Sequence, residues 1–528
     1  LALRRTAGLL AIATAMIAAI PLATRADESV LRVSLNTELQ ILDPIVTSIN
    51  ATRVFAYLVF DMLVGIDRDG HYHPQMLQGW QISDDRLTYT FQLRDGLVWS
   101  DGTPVTAQDC VASIRRWAKR EPIGAQLMDA TQDISVTDPK TFVLHLKRPF
   151  AFVIDALGKP GSTIPVMMPE RLAALDASTA VPEIVGSGPF VFHTAEWRPG
   201  ERAIFHRNPL YKPRAEPADG LSGGKTVRFD RVDLISEPDQ ATRVAALQTG
   251  ELDFLEIVPF DYIDALRRDP NVTVAAQRGV EQMMSAININ HAQPPFNNVL
   301  IRRALQAAIG QDDVMASLGL PPDMYLRQCY SIYMCDSPGT TDAGTEVFHS
   351  AGIDRARALL REAGYHNEPV VLLHSANTVL LNPTGLVIAD QMRQAGFNVD
   401  VRTSDYATAA QRRLSRAPVD QGGWSVVPIV WNGIDLLNPL SNPAVSNNCN
   451  DKTPGWYCDP KMTDLLRRYA VAATADERHQ LAAEIQEAFI SNVDYVLAGQ
   501  SSAPAAYRSD LRNVIPFAFP VFWNIERK

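Results

Sequence analysis

Residues 83–105 read Ser83-Asp84-Asp85-Arg86-Leu87-Thr88-Tyr89-Thr90-Phe91-Gln92-Leu93-Arg94-Asp95-Gly96-Leu97-Val98-Trp99-Ser100-Asp101-Gly102-Thr103-Pro104-Val105. Leu87 to Leu93 alternates apolar and polar side chains with period two, the pattern of a half-buried strand. Arg94-Asp95-Gly96 turns the chain, Val98-Trp99 continues as strand, and Asp101-Gly102 turns it again. Thr106-Ala107-Gln108-Asp109 then has capping-box spacing, which predicts a helix to about Lys119. Cys110, Ile114 and Trp117 fall on one face of that helix, so Cys110 reads as a small buried apolar residue.

Further along, the order of elements changes. Asp354 to Glu362 is helical, stops at Gly364 and leads into Val370-Val371-Leu372-Leu373; Thr384 to Gln394 stops at Gly396 and leads into Phe397 to Val401. Thr474-Ala475-Asp476-Glu477 caps another helix, with Leu481, Ile485 and Phe489 as its core stripe. Helices that feed short apolar strands indicate α/β layers. The Pro- and Gly-rich stretches 199–224 and 436–460 read as surface loops.

The chain has 528 residues, 46% of them apolar and 20% charged, which is globular composition with length for about three structural units. Its net charge of −10 argues against a nucleic-acid partner, because phosphate binding needs a basic face. Arg4 and Arg5 precede an apolar run from Ala7 to about Ala23, and Thr24-Arg25-Ala26 offers a cleavage site, so residues 1–26 are expected to be a secretory signal peptide. No Cys follows the run to accept a lipid. Export suits the cysteines: Cys329 and Cys335 bracket one short segment and Cys449 and Cys458 another, and in an oxidising compartment each pair can close a loop. The rival reading, a zinc site, lacks C-x-x-C spacing and a nearby His.

A scan for chemistry finds no assembled set. No G-x-S-x-G is present, and Gly186-Ser187-Gly188-Pro189 lacks the spacing of a nucleophile elbow. Ser222-Gly223-Gly224-Lys225-Thr226 resembles the end of a phosphate loop, but Asp219 stands where its first glycine is needed. No H-E-x-x-H occurs. His71 and His73, at alternate strand positions after Asp69-Gly70, are a faint metal hint and read better as an exposed hairpin arm. The predicted role is a binder, with no catalytic residues, no metal and no cofactor.

Several motifs, in order, resemble one family. Val64-Gly65-Ile66-Asp67, Pro74 to Trp80, Ser83 to Gly96 and Ser100 to Asp109 are similar to the signature region of bacterial extracytoplasmic solute-binding proteins of the peptide type (family 5, cluster C) of ABC importers. Gly186 to Phe190, Asn208-Pro209-Leu210-Tyr211, Ala241 to Asp253, Pro295 to Ile309 and Gly455-Trp456-Tyr457 extend the resemblance over essentially the whole mature chain.

The resemblance implies a two-lobed α/β periplasmic-binding fold with a hinge and an inserted subdomain. Lobe I is expected at 27–60, 186–275 and 495–528, the insert at 61–185 and lobe II at 276–494, with hinge crossings near 276–284 and 491–498. It implies a periplasmic monomer that delivers a peptide or peptide-like solute to inner-membrane permease subunits with cytoplasmic ATPases. In Val430-Trp431-Asn432-Gly433-Ile434-Asp435-Leu436-Leu437-Asn438-Pro439, Asp435 stands four residues before a proline, where peptide binders of the family accept the ligand's α-ammonium. The expected ligand-binding residues are therefore Asp435 with Trp431, Asn432 and Gly433 of the same segment, and Thr47 of lobe I; a core Trp431 and a turn-capping Asp435 are the alternatives. The pair Cys449 and Cys458 also resembles a loop disulfide of dipeptide-binding members.

One departure bears on the solute. Dipeptide-binding members carry an Arg and a Tyr for the ligand carboxylate just before the Asn-Pro that matches Asn382-Pro383, and here those positions are Val379 and Leu381. A strict dipeptide clamp is therefore not expected, and a longer peptide, a modified amino compound or an amphiphilic ligand fits better. An opine, a sugar-amino conjugate, glutathione or chelated nickel stay open as solutes, with a chaperone-like peptide binder and a secreted hydrolase as rival functions.

Overall fold

The computed structural model describes residues 28–528 except Ser48, Ser162 and Pro338, so the expected signal segment lies outside the described residues. Two large sheets organise the chain. The first has seven strands, in the order Val272–Ala275, Ala505–Arg508, Phe254–Leu255, Val30–Ser34, Arg231–Ile235, Arg202–Arg207 and Phe190–Phe192. Val30–Ser34 runs parallel to both neighbours, and the other pairings are antiparallel.

The second sheet has six strands, in the order Tyr325–Leu326, Tyr495–Ser501, Met283–Ile289, Val426–Asn432, Pro369–Ser375 and Asn398–Ser404. The two predicted helix-strand units lie at its parallel edge: Ile353–Glu362 precedes Pro369–Ser375, and Leu381–Ala395, ended by a left-handed Gly396, precedes Asn398–Ser404. Thr474 caps the helix Ala475–Asn492 by accepting a hydrogen bond from the Glu477 N–H, as its sequence predicts.

Between residues 64 and 146 lie a small hairpin, Val64–Ile66 with Tyr72–Pro74, and a four-stranded antiparallel sheet, Leu77–Ile82, Thr88–Leu93, Thr141–Leu146 and Thr131–Asp138. The period-two stretch forms Thr88–Leu93, and the capping box closes on helix Ala107–Ala118 with both of its hydrogen bonds. Val98-Trp99 does not continue as a strand. Val98 makes a single bridge to Pro104, because the turn at Gly102 folds the chain straight back.

The chain passes between the two large sheets at 276–282 and again at 502–504. The second passage lies later than the 491–498 expected. Tyr495–Ser501 is buried along its whole length and pairs with Met283–Ile289 across a β-bulge, which makes it an inner strand of the six-stranded sheet. Residues 495–501 of the expected lobe I segment therefore belong to the other sheet.

Among the described residues no helix is long and apolar enough to cross a membrane. Cys329–Cys335 and Cys449–Cys458 are both disulfide-bonded, and Cys110 is buried with a free thiol that burial pushes well up.

Candidate functional site

The helix Asn50–Val59 follows the first strand of the seven-stranded sheet and is almost wholly buried. Arg53 is the one charged residue between Pro44 and Phe60, and its guanidinium faces the opposite lobe. Its Nη2 donates to Asp435 Oδ2 at 3.0 Å, with the two side chains 4% and 9% exposed. The ring of Phe519 lies 5.2 Å from the guanidinium carbon. An ion pair with so little exposure has lost most of its hydration, so it needs further hydrogen bonds to offset that cost.

Asp435 sits in the short turn Gly433–Leu436 at the end of strand Val426–Asn432. Two glycines fix its position. Gly433 donates its N–H to Gln282 O at 2.8 Å, and a Cβ there would lie 2.8 Å from the carbonyl oxygens of both Gln282 and Val280. A Cβ on Gly161 would fall 2.1 Å from Asp435 Oδ1. The seven-stranded lobe, the 64–185 region and the six-stranded lobe thus converge on one carboxylate.

Other buried charges surround the pair. Lys159 and Glu121 form an ion pair at 3.4 Å, and burial pushes the Glu121 carboxyl up to about 7. Asp155 lies 3.5 Å from the Asn438 amide across the seam, and burial raises it to about 6. Asp155, Lys159, Gly161, Asp435, Asn438 and Ser441 line a cavity of about 10 Å³, room for one water-sized group. On the far side of Arg53, Glu256 accepts from the Asn36 N–H at 2.6 Å and from the Asn50 amide, yet burial still raises its pKa. The Tyr57 hydroxyl donates to Pro160 O at 2.9 Å, and burial holds it protonated. A larger cavity of about 330 Å³ opens at the carboxyl end of Val30–Ser34, lined by Asn36, Thr37, Trp197 and Arg243 of one lobe and Asn377 of the other. Such crevices beyond the carboxyl ends of strands are where α/β sheets hold ligands.

The predicted residues divide into two groups. Asp435, Asn432 and Gly433 are at the seam, with Gly433 acting through its lack of a side chain. Trp431 packs edge-on against Tyr495 of the neighbouring strand, ring centroids 5.0 Å apart. Thr47 accepts from the Ile49 N–H at 3.3 Å, a local turn that leads into the Asn50 helix. Val379 packs against the six-stranded lobe's core and Leu381 is buried at the start of its helix, so neither offers the cleft a polar group. Arg53, Glu256, Lys159 and Gly161 have no counterpart in the sequence reading. The signal for Arg53 was present as a lone charge in an apolar run.

The remaining sequence motifs have structural explanations. Lys225 of the phosphate-loop lookalike is buried in an ion pair with Asp61 at 2.8 Å and lies over the Trp523 ring. His71 and His73 both face Asp67, whose pKa their contacts lower. Among the described residues no three metal-ligating side chains are grouped to hold an ion.

Residues 71–452 match the family model for bacterial extracellular solute-binding proteins, family 5. The chain is 37% identical over 511 residues to a probable peptide ABC transporter periplasmic-binding protein of Sinorhizobium fredii, covering 96% of this chain and 94% of that one. The solved periplasmic binding protein of Agrobacterium tumefaciens in complex with agropinic acid superposes with a TM-score of 0.77 at 21% identity, covering 94% of this chain and 99% of that one. The ABC transporter-associated periplasmic binding protein of Helicobacter pylori in complex with the peptide STSA also gives 0.77, at 20% identity over 95% of this chain and 98% of that one. Taken with the two sheets and the seam between them, these matches establish that the chain belongs to the bacterial extracellular solute-binding proteins, family 5.

Proposed function

We propose that this chain is the periplasmic solute-binding component of an ABC importer, and that it captures a peptide or peptide-like, amine-bearing solute between its lobes. The observation that carries this reading is Asp435, a carboxylate buried where the lobes meet and left with one oxygen, Oδ1, without a hydrogen-bond partner. A buried carboxylate oxygen in that state favours a charged donor, and an ammonium supplies one. The name of the Sinorhizobium relative supports peptide import, and family membership supports binding rather than catalysis. A permease with its ATPases is then the membrane partner, and an exported chain its source. We divide the chain into lobe I at 27–60, 186–275 and 505–528, an insert at 61–185 and lobe II at 283–501, with the two hinge passages between them.

Solute capture works by closure. The solute shifts the population toward the closed form only through contacts it gains there. Strand Val426–Asn432, which leads to Asp435, and the 330 Å³ crevice would hold the rest of an extended solute. A second reading, an opine or another small amino compound, draws support from the apolar Val379 and Leu381, which provide no receptor for a dipeptide carboxylate. Mass spectrometry of the solute released on denaturing the purified protein, then titration of that solute into Asp435→Asn, tests both. Loss of a charge-assisted hydrogen bond should weaken binding by about ten- to hundredfold. Unchanged affinity would remove Asp435 from the site.

A further inference from the structure

The loop closed by the Cys329–Cys335 disulfide is clasped at each end by a buried glutamine. Gln311 Oε1 accepts from the Cys329 N–H at 2.6 Å, while its amide nitrogen donates to Cys329 O at 2.9 Å and to Leu497 O at 3.0 Å. Gln500 does the same for the other end. Its Oε1 accepts from the Cys335 N–H at 2.9 Å, and its amide nitrogen donates to Cys335 O at 3.2 Å and to Gln282 Oε1 at 2.6 Å. Leu497 and Gln500 belong to the inner strand Tyr495–Ser501, and Gln282 ends the first passage between the lobes. Both feet of the loop therefore stand on the inner strand beside the hinge.

Its crown reaches the Asp435 turn. Asn442, with no exposure, donates from one amide nitrogen to Ile332 O of the loop and to Leu436 O of the turn, each at 3.0 Å. Gln486 Oε1 accepts from the Ile332 N–H at 3.2 Å. The fully buried Met334 side chain lies against Gly433, where a Cβ would be 2.9 Å from its terminal methyl. Met334 holds a left-handed backbone with a φ of 66°, a conformation disfavoured for any residue with a Cβ. Ser337 Oγ donates to its carbonyl at 2.9 Å. Such a backbone persists only where its surroundings over-determine it, and a short covalent ring with both feet anchored does so.

We propose that the Cys329–Cys335 loop is the positioning element of the solute-binding turn. The disulfide holds Ile332 and Met334 at a fixed height above the inner strand. Through Asn442 and Gly433 they hold the Asp435 turn against the hinge passage, where the Gly433 N–H donates to Gln282 O. Met334 and Asn442 are positioning residues that act through the turn. The bearing on solute capture rests on the proposed role of Asp435, whereas the mechanical link stands on the contacts alone. The second disulfide has a different place: Gly455 within the Cys449–Cys458 loop accepts from the His291 N–H at 2.9 Å, beyond the far end of strand Met283–Ile289.

Hydrogen exchange of the full mature chain without solute, read by mass spectrometry, tests the link. In Cys329→Ser/Cys335→Ser the segments 432–438 and 277–283 should exchange about tenfold faster than in the wild type, the scale of one or two lost hydrogen bonds. Strand Pro369–Ser375 of the same sheet should stay within about twofold, because the opening is local. Cys449→Ser/Cys458→Ser should leave 432–438 within the same limit. Met334→Gly accepts the left-handed backbone and removes only the contact with Gly433, so it should speed exchange at 432–438 in a loop that is still closed. Unchanged exchange at 432–438 in the serine pair or in Met334→Gly, a rise of equal size in Pro369–Ser375, or an equal effect of the second pair overturns the inference. Should the first serine pair fail to fold, Met334→Gly and Asn442→Ala decide the matter with the disulfide intact, and both should speed exchange at 432–438. None of these measurements uses a solute, so their failure leaves the amine role of Asp435 to its own titration.

Discussion

Asp494 is a carboxyl with no exposure at the end of helix Ala475–Asn492, where Asn492 donates to Oδ1 at 2.5 Å and Oδ2 has no partner. Burial pushes its pKa up to about 8 from an ordinary 3.8. The folded state therefore holds a proton that the unfolded chain has released, and stability falls as pH rises until about pH 8. Burial holds the neighbouring His291 down to about 3, which has the opposite sign, but that effect ends once the unfolded histidine loses its proton near pH 6.5. Between pH 6.5 and 8 the carboxyl effect is not opposed by His291, with a limiting slope of about 1.4 kcal/mol per pH unit. Urea unfolding should show stability falling across that window, and Asp494→Asn should flatten the fall. A wild-type profile that rises there would contradict the assignment. Such a group cannot be found from sequence, since Asn-Val-Asp-Tyr reads as an ordinary helix end. Arg53 was more legible, as a lone charge among apolar residues, but its partner Asp435 lies 382 residues away, and no local pattern encodes that contact.

The passages between the lobes are stitched by amide side chains. Gln500 donates to Gln282 Oε1 at 2.6 Å, Gln282 donates to Ser502 Oγ at 3.2 Å, and the Ala503 N–H donates to Gln277 Oε1 at 2.8 Å. The Cys335 N–H donates to Gln500 Oε1 at 2.9 Å, which ties the Cys329–Cys335 loop to the same network. Gln282→Ala leaves the Gln500 amide and the Ser502 hydroxyl short of a partner in a buried place, at a cost of about 1–3 kcal/mol. Denaturant unfolding should show that loss, and an unchanged midpoint would mean that water replaces the side chain. The local elements are readable because their signals are local: the period-two strand, the capping box at Thr106, the N-cap at Thr474, and the glycine stops at 364 and 396 all appear within a residue or two. The second passage was misplaced because what makes Tyr495–Ser501 an inner strand is its pairing with Met283–Ile289, a partner some two hundred residues earlier.

At the scale of the molecule, the capture proposed for this chain needs its two lobes to part and meet about two short passages, and the Arg53–Asp435 contact at the seam bears on that balance. Arg53 and Asp435 contribute to closure only in so far as their attraction exceeds what each gains from water when the lobes part. A buried pair of this kind is weakly screened, so the balance should respond to the charge of Asp435 more than to added salt. Asp435→Asn keeps an acceptor for the guanidinium and removes the charge, so it should weaken closure with little effect on either lobe. Each 1.4 kcal/mol lost shifts the open-to-closed ratio about tenfold. Small-angle scattering of the variant should therefore give a larger radius of gyration than the wild-type chain, while the melting of each lobe is preserved. Identical scattering curves for the two proteins would mean that the passages and the apolar seam set closure by themselves. Asp435 would then act on the solute without holding the lobes together.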